Sequence, residues 1–231
     1  MICSQLRTLI PNRLQPLHAN HRRLLLISLD GFRYDLLNET TTPILHRWIK
    51  TGTHFVNGVQ SQVPADTGPN HESIATGLTS ESHGIVANMF YDRTTREKFD
   101  LFNHSKMPGV VAKSKDHKWY SATPIWEVNR EFGGRSAIVK WPLRNAKGEN
   151  KEGTYFKEFD SRDRSVDDLF EKVVDIENAI DCGANLIVWY IEEPDSTQHE
   201  FGQYFEGKLR KMLSDLDELF GRFINRMEKR G

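Results

Sequence analysis

Leu24-Leu-Leu-Ile-Ser-Leu-Asp-Gly-Phe-Arg33 begins as a nearly unbroken apolar run and closes on an acid followed by glycine. A strand buried on both faces of a parallel sheet reads this way, because it has no solvent side against which to alternate. In open α/β sheets ligands gather beyond the carboxyl ends of the strands, which is where this run leaves Asp30. A second stretch, Asn185-Leu-Ile-Val-Trp-Tyr-Ile-Glu-Glu-Pro-Asp-Ser-Thr-Gln-His199, repeats the pattern, an apolar run ending in carboxylates. Asp195 and His199 stand four residues apart in it. If that segment turns helically, the two side chains share a face, and an oxygen and nitrogen donor pair of this kind suits zinc.

Between these strands lies Val63-Pro-Ala-Asp-Thr-Gly-Pro-Asn-His-Glu-Ser-Ile-Ala-Thr-Gly77. Pro69 is suited to the first position of a helix, Gly68 to the sharp turn before it and Gly77 to its end. Thr67 then stands at a helix mouth, where backbone N–H groups lack intrahelical partners and the macrodipole is positive. A phosphate, or the alkoxide of Thr67 itself, is stabilised in such a place. Taken alone the stretch also describes a Thr-Gly-Pro turn opening a surface helix, and it is the two acid-bearing strand ends that recommend a nucleophile.

The remaining chain is compatible with one large core, since 231 residues carry 38% hydrophobic content and a net charge of -1. That charge names no polyanionic partner, so a nucleic-acid polymer is not expected. Residues 1–23 mix Arg, Asn, Gln, His and Pro with scattered Leu, lack the apolar core of a signal peptide or membrane span, and read as a leader of unclear role. Cys3 and Cys182 do not establish a disulfide framework. Asn38-Glu-Thr40 and Asn103-His-Ser105 match the N-glycosylation pattern, which counts only in a secreted chain. Residues 42–50 predict an amphipathic helix with Ile44, Leu45, Trp48 and Ile49 against the sheet, and 55–59 the next strand. Residues 80–88 read as a polar loop in which His83 is structural rather than a ligand, and 92–118 as an irregular surface insertion. A helix starts near 120–126, a strand over 135–142 carries Trp141 at its carboxyl end, and 145–165 is a charged loop holding Tyr155 and Phe156. Trp141 suits a pocket wall or a core position equally. Residues 166–180 and 208–227 predict amphipathic helices, the latter with Leu213, Leu216, Leu219, Phe220 and Phe223 on one face.

Several motifs occur in a fixed order: Leu29-Asp-Gly-Phe32, Thr67-Gly-Pro-Asn-His71, Thr76-Gly-Leu78, Glu81-Ser-His-Gly-Ile85 with Asn88 and Tyr91-Asp92, and Glu192-Glu-Pro-Asp-Ser196 with His199. In this order the chain resembles the ectonucleotide pyrophosphatase/phosphodiesterase family of the alkaline phosphatase superfamily, from about residue 24 to about residue 227. The resemblance implies an α/β fold, an alkaline-phosphatase-like mostly parallel sheet flanked by helices and C-terminally incomplete, with 24–231 forming part of a phosphodiesterase catalytic domain. It implies metal-dependent hydrolysis of phosphodiester or nucleotide pyrophosphate bonds through a covalent phosphothreonine at Thr67. Two zinc ions per complete catalytic domain, about 4 Å apart, are implied, with Asp30 and Thr67 on one and Asp195 and His199 on the other. Asn88 is implied to point its amide at the phosphate, and Trp141 and Tyr155 to line the substrate site.

The family's next strand carries an Asp-His pair and a later histidine that complete both metal sites, and residues 1–231 contain neither. Each site is therefore expected to be half built, and the alternative to an enzyme is a truncated, inactive fragment or pseudoenzyme acting at most as a binding module. A sulfatase-type relative is disfavoured, because its signature needs Cys or Ser where Thr67 stands. Gly68 replaces an aromatic that packs on a nucleobase in many members, and Asp66 places a carboxylate beside Thr67 that favours diesters over doubly charged monoesters. Gln198 replaces a frequent glycine and is expected to matter little. The partners implied are a small-molecule phosphodiester, lipid-type or nucleotide, and a membrane only through segments outside this chain. The implied location is extracellular, or membrane-anchored and facing outside.

Overall fold

Both apolar runs are strands of one sheet. In a computed structural model of the chain, the described residues are 22–102, 117–143, 154–157, 166–203 and 206–230. The leader up to residue 21, the Asn103 triplet, the Phe156 side chain and most of the 144–165 segment lie outside them. In chain order the elements are β1 (Leu24–Leu29), α1 (Pro43–Trp48), α2 (Thr67–Thr76), α3 (Ser80–His83), β2 (Met89–Asp92), β3 (Glu97–Asp100) and α4 (Ile125–Glu131). After them come β4 (Ser136–Val139), β5 (Thr154–Lys157), α5 (Val166–Asp181), β6 (Leu186–Ile191), α6 (Asp195–Phe201) and α7 (Lys208–Glu228).

The four-stranded sheet has the order β1-β6-β4-β5. β4 is parallel to both β5 and β6. Leu24 N–H donates to Asn185 O and Asp30 N–H to Ile191 O, both at 2.9 Å, so β1 and β6 climb together and are parallel as well. Every residue of β4 and β6 is buried, as their unbroken apolar runs require. The α/β class and the mostly parallel sheet flanked by helices are thus as expected. Among the described residues, no helix is long and apolar enough to cross a membrane.

The chain divides into two compact units, residues 1–26, 61–159 and 176–189 in the first and 27–60, 160–175 and 190–231 in the second. In the first, Trp126 and Trp141 meet edge to face at 6.4 Å between ring centroids, and Trp141 meets His71 at 5.0 Å. In the second, Leu36, Leu209 and Leu213 form a buried cluster with Phe32 packed against it. The apolar stripe of α7 expected from Leu213 to Phe223 is buried throughout.

Five expectations are corrected. Residues 55–59 form no strand: Gly58 turns at φ +73° and donates to Phe55 O at 2.9 Å, leaving Phe55, Val56 and Val59 exposed. α1 packs on α7 rather than on the sheet, with Ile44 directed at Gly221 while Trp48 is 45% exposed. Residues 89–100 form an antiparallel hairpin of β2 and β3 in place of an irregular insertion, because Phe90 stacks on Phe99 at 4.8 Å and Trp119 closes edge-on over both. Tyr155 lies in β5 opposite Ala137 rather than in a loop, since its short run, Thr154-Tyr-Phe-Lys157, is paired along β4. Cys182 is disulfide-bonded, and no described cysteine is free.

The start of α1 illustrates how the second unit is held. Thr42 makes no side-chain cap, and the orphan N–H groups of Ile44 and Leu45 donate instead to Asp217 of α7, at 2.9 and 2.8 Å. A carboxylate at a helix N-terminus also complements the dipole. Asp217→Ala would leave two part-buried donors unsatisfied, and chemical denaturation is expected to register a loss of about 2 kcal/mol. Asp217→Asn, retaining one acceptor, should lose less.

Candidate active site

In the first unit α2 begins at Thr67, two positions earlier than Pro69 would place it, with Asp66 as its N-cap residue and Gly77 ending it at φ +73°. Thr67 therefore lies in the first turn. The Gly68 N–H is directed to Asn88 Oδ1 at 2.7 Å, and Pro69 has no N–H, so the helix mouth has fewer donors for an anion than the motif implied. Asn88 is fixed from three sides: Gly68 holds its Oδ1, its own N–H donates to Asp66 Oδ2 at 3.1 Å, and its carbonyl accepts from Leu101 N–H at 2.9 Å. A backbone donor on Oδ1 settles which way the amide faces, with Oδ1 toward the helix. The β2–β3 hairpin, which carries Leu101 at its exit, is thus what positions Asn88. A Cβ at residue 68 would press on Asn88 Oδ1 at 3.0 Å and on Ile85 and Leu101 at 3.4 Å, so glycine here also spares Asn88.

Around this turn His71 donates from Nδ1 to Thr67 O at 2.7 Å, with its ring wedged on Trp141. Trp141 is 1% exposed, which accords with the core alternative for that residue. His83 accepts from Ile85 N–H on Nδ1 at 3.2 Å and so presents its Nε2 proton to Ser73 Oγ at 2.9 Å. A histidine in that tautomer is no base for Ser73, and burial holds its pKa low. The sequence motifs give Glu72 no role. It is 0% exposed, neither carboxyl oxygen has a partner among the described residues, and burial pushes its pKa up to about 7.

In the second unit Asp30, Asp195 and His199 come together. Gly31 turns at φ +67°, and a Cβ on it would fall 2.8 Å from Asp195 Cα, so the turn after β1 tolerates only glycine. Asp195 N–H donates to Asp30 O at 3.1 Å, and Gln198 Nε2 donates to Gly31 O at 2.8 Å. Gln198, expected to matter little, in fact ties α6 to the Asp30 turn. Asp195 Oδ2 lies 3.4 Å from His199 Nε2, confirming that the four-residue spacing sets both on one face. Asp30 accepts from Gly31 N–H on Oδ1 at 3.0 Å and from the Tyr190 hydroxyl on Oδ2 at 2.7 Å. Burial and the charge of Asp30 drive the Tyr190 phenol far above its ordinary value, so it remains a donor.

Burial, then the charge of Asp30, raises the Asp195 pKa, with His199 opposing and Glu192 and Glu193 adding to the rise. Glu192 Oε2 is buried without a hydrogen-bond partner among the described residues. Carboxylates crowded in this way fit a cation, and Asp, Asp and His are a zinc-type donor set. Among the described residues, no group of three or more His, Cys, Asp and Glu is arranged to enclose a metal ion. The fit is to part of a coordination shell.

These motifs match the family model described as type I phosphodiesterase / nucleotide pyrophosphatase over residues 24–231. The chain belongs to that family. It is 34% identical to a bis(5'-adenosyl)-triphosphatase of Bos taurus over 92% of this chain and 45% of the relative. It is 32% identical to the human ectonucleotide pyrophosphatase/phosphodiesterase family member 5 over 92% of this chain and 42% of that protein. The structure of murine ectonucleotide pyrophosphatase/phosphodiesterase 5 superposes with a TM-score of 0.75 at 32% identity, covering 90% of this chain and 53% of that one. The chain thus spans about half the length of the relatives it matches.

Proposed function

We propose that this chain carries the nucleophile and part of the metal site of a phosphodiesterase or nucleotide pyrophosphatase. The observation that carries the reading is Thr67 in the first turn of α2 with the Asn88 amide held beside that turn by the Gly68 N–H. Thr67 Oγ1 bonds to phosphorus as the leaving alkoxide departs, and water then cleaves the phosphothreonine to restore the hydroxyl. Asn88 directs its NH2 to the phosphoryl oxygen on which negative charge grows. Support comes from a structure of the murine relative described as an inactive threonine-to-alanine variant in complex with AMP. That complex also supports a small nucleotide as one substrate, and the first relatives are named for a dinucleoside triphosphate.

Zinc is the metal we infer, two ions in the complete site, with Asp30, Asp195 and His199 among the residues that hold it. When bound, zinc supplies charge neutralisation and acidifies a coordinated hydroxyl or water. Trp141 and Tyr155 are kept as residues behind the substrate site, Trp141 by seating His71 under Thr67. An extracellular or outward-facing setting is supported by the name of the human relative, an ectonucleotide pyrophosphatase/phosphodiesterase. Glycosylation at Asn38 would have to coexist with a turn in which its amide donates to Leu36 O at 3.2 Å.

The test compares an aryl phosphodiester with the corresponding aryl phosphate monoester. Asp66 beside Thr67 penalises the second negative charge, so kcat/KM for the diester is expected to exceed that for the monoester by on the order of tenfold or more. A preference for the monoester would overturn the reading. Asp66→Asn should narrow the gap.

A further inference from the structure

Residues 61–66, which lead into the Thr67 turn, alternate in burial: Ser61, Val63 and Ala65 are exposed, Val63 to 88%, while Gln62, Pro64 and Asp66 are half-buried. An extended segment turns every second residue to the same side. On this side all three meet one side chain of α2. Asn70 Oδ1 accepts from Gln62 N–H at 2.8 Å, and its Nδ2 donates to Asp66 O at 2.8 Å and, over a longer 3.4 Å, to Pro64 O. One backbone donor and two carbonyls fix which end of the carboxamide is oxygen. The helix bond at the same place, Asn70 N–H to Asp66 O, is long at 3.3 Å, so the side chain supplies the shorter hold on Asp66. Asp66 in turn receives Asn88 N–H on its carboxylate, and Asn88 receives Gly68 N–H.

We propose that Asn70 is a positioning residue for the reaction: its carboxamide clamps residues 62–66 along the start of α2 and, through the Asp66 backbone, sets where Thr67 and Asn88 stand. Without the clamp the entry segment has no partner strand on that side to replace it, and Asp66 no longer brings its carboxylate to a fixed place under Asn88. Thr67 follows Asp66 directly, so a shift of the one displaces the other. That role rests on reading Thr67 as the nucleophile, and the experiment separates the two.

Hydrogen exchange is followed residue by residue by NMR in the chain, in Asn70→Ala, in Asn70→Asp and in Asn70→Ser, with melting temperatures alongside and the β4 amides as internal reference. Asn70→Ala should speed exchange at Gln62, whose acceptor it removes, and also at Gly68 and Asn88, whose acceptors it leaves in place, each by severalfold to about tenfold. Asn70→Asp keeps an acceptor for Gln62 but sets a carboxylate against the Asp66 and Pro64 carbonyls, so Gln62 should stay protected while Gly68 and Asn88 open. A carboxylate near the helix start also suits the dipole, and the melting temperature should hold within a few degrees. Asn70→Ser, whose hydroxyl reaches the carbonyl four residues back, should restore Gly68 and Asn88 but not Gln62. Faster exchange at Gln62 alone in Asn70→Ala marks a merely structural loop anchor and overturns the proposal. So does a uniform rise that includes β4 and follows the melting temperature across all three variants. In turnover of an aryl phosphodiester, kcat should fall roughly ten- to a hundredfold in Asn70→Asp and stay near the parent in Asn70→Ser, with KM within a few-fold. An unchanged kcat for Asn70→Asp in an active parent would overturn the proposal as well. A parent without turnover counts against the proposed function, and exchange at Gly68 and Asn88 still decides the role of Asn70.

Discussion

Thr67→Ala is expected to lower hydrolysis of an aryl phosphodiester by at least roughly three orders of magnitude, the size of loss seen when a covalent nucleophile is deleted. Measured in a polypeptide that carries residues 1–231 and is active, the loss should appear in kcat, since the Asn88 amide proposed to meet the substrate is untouched. The fold should survive. Thr67 is half-buried in the first turn of α2, where alanine is a better helix former, and the Asn88 bond it neighbours is made by the Gly68 backbone. Thr67→Ser keeps the oxygen but frees its rotamer by removing the methyl group, so it should retain a measurable fraction of the parent rate. Trapping after acid quench gives a second readout: labelled phosphate bound covalently to the parent and absent from Thr67→Ala. Activity of the alanine variant within a few-fold of the parent would remove Thr67 from the mechanism.

How legible these parts were depended on whether the signal was local. β6 announces itself because a strand covered on both faces needs an unbroken apolar run, and β1 carries a similar run although it lies at the edge of the described sheet and is only part-buried. Asp195 and His199 were readable from spacing alone once the segment was helical. The start of α2 was misplaced because Pro69 suits several first-turn positions, and the cap sits at Asp66. Tyr190 could not be singled out, since within an apolar run a tyrosine with a buried partner looks like any core aromatic. Gln198 was set aside because the family often has glycine there, and its acceptor is a backbone carbonyl far away in sequence. The hairpin of β2 and β3 was hidden by the charged residues of its second strand and by a clamp, Trp119, that comes from well downstream. Glu72 was within reach: Gly68, His71, Glu72 and Ala75 fall on one helical face, and all four are buried.

Glu72 should make the stability of this chain fall as pH rises toward neutrality. Its pKa in the folded protein is raised from 4.5 to about 7, because burial disfavours the charged form and no partner among the described residues offsets it. Below about pH 4.5 the carboxyl is protonated in both folded and unfolded chains and contributes nothing to the slope. Between about 4.5 and 7 the folded chain retains a proton that the unfolded chain has released, so each pH unit costs about 1.4 kcal/mol of stability. Above 7 the slope vanishes, leaving a total loss of about 3 kcal/mol. The clean measurement is a difference, because other groups titrate in the same window. Urea denaturation of the parent and of Glu72→Gln from pH 4.5 to 8 should give curves that diverge steadily, with the Gln variant gaining about 3 kcal/mol relative to the parent by pH 7. Parallel curves would mean that Glu72 finds a partner or water on ionising. A divergence in the opposite sense would mean that its charged form is the one the fold prefers.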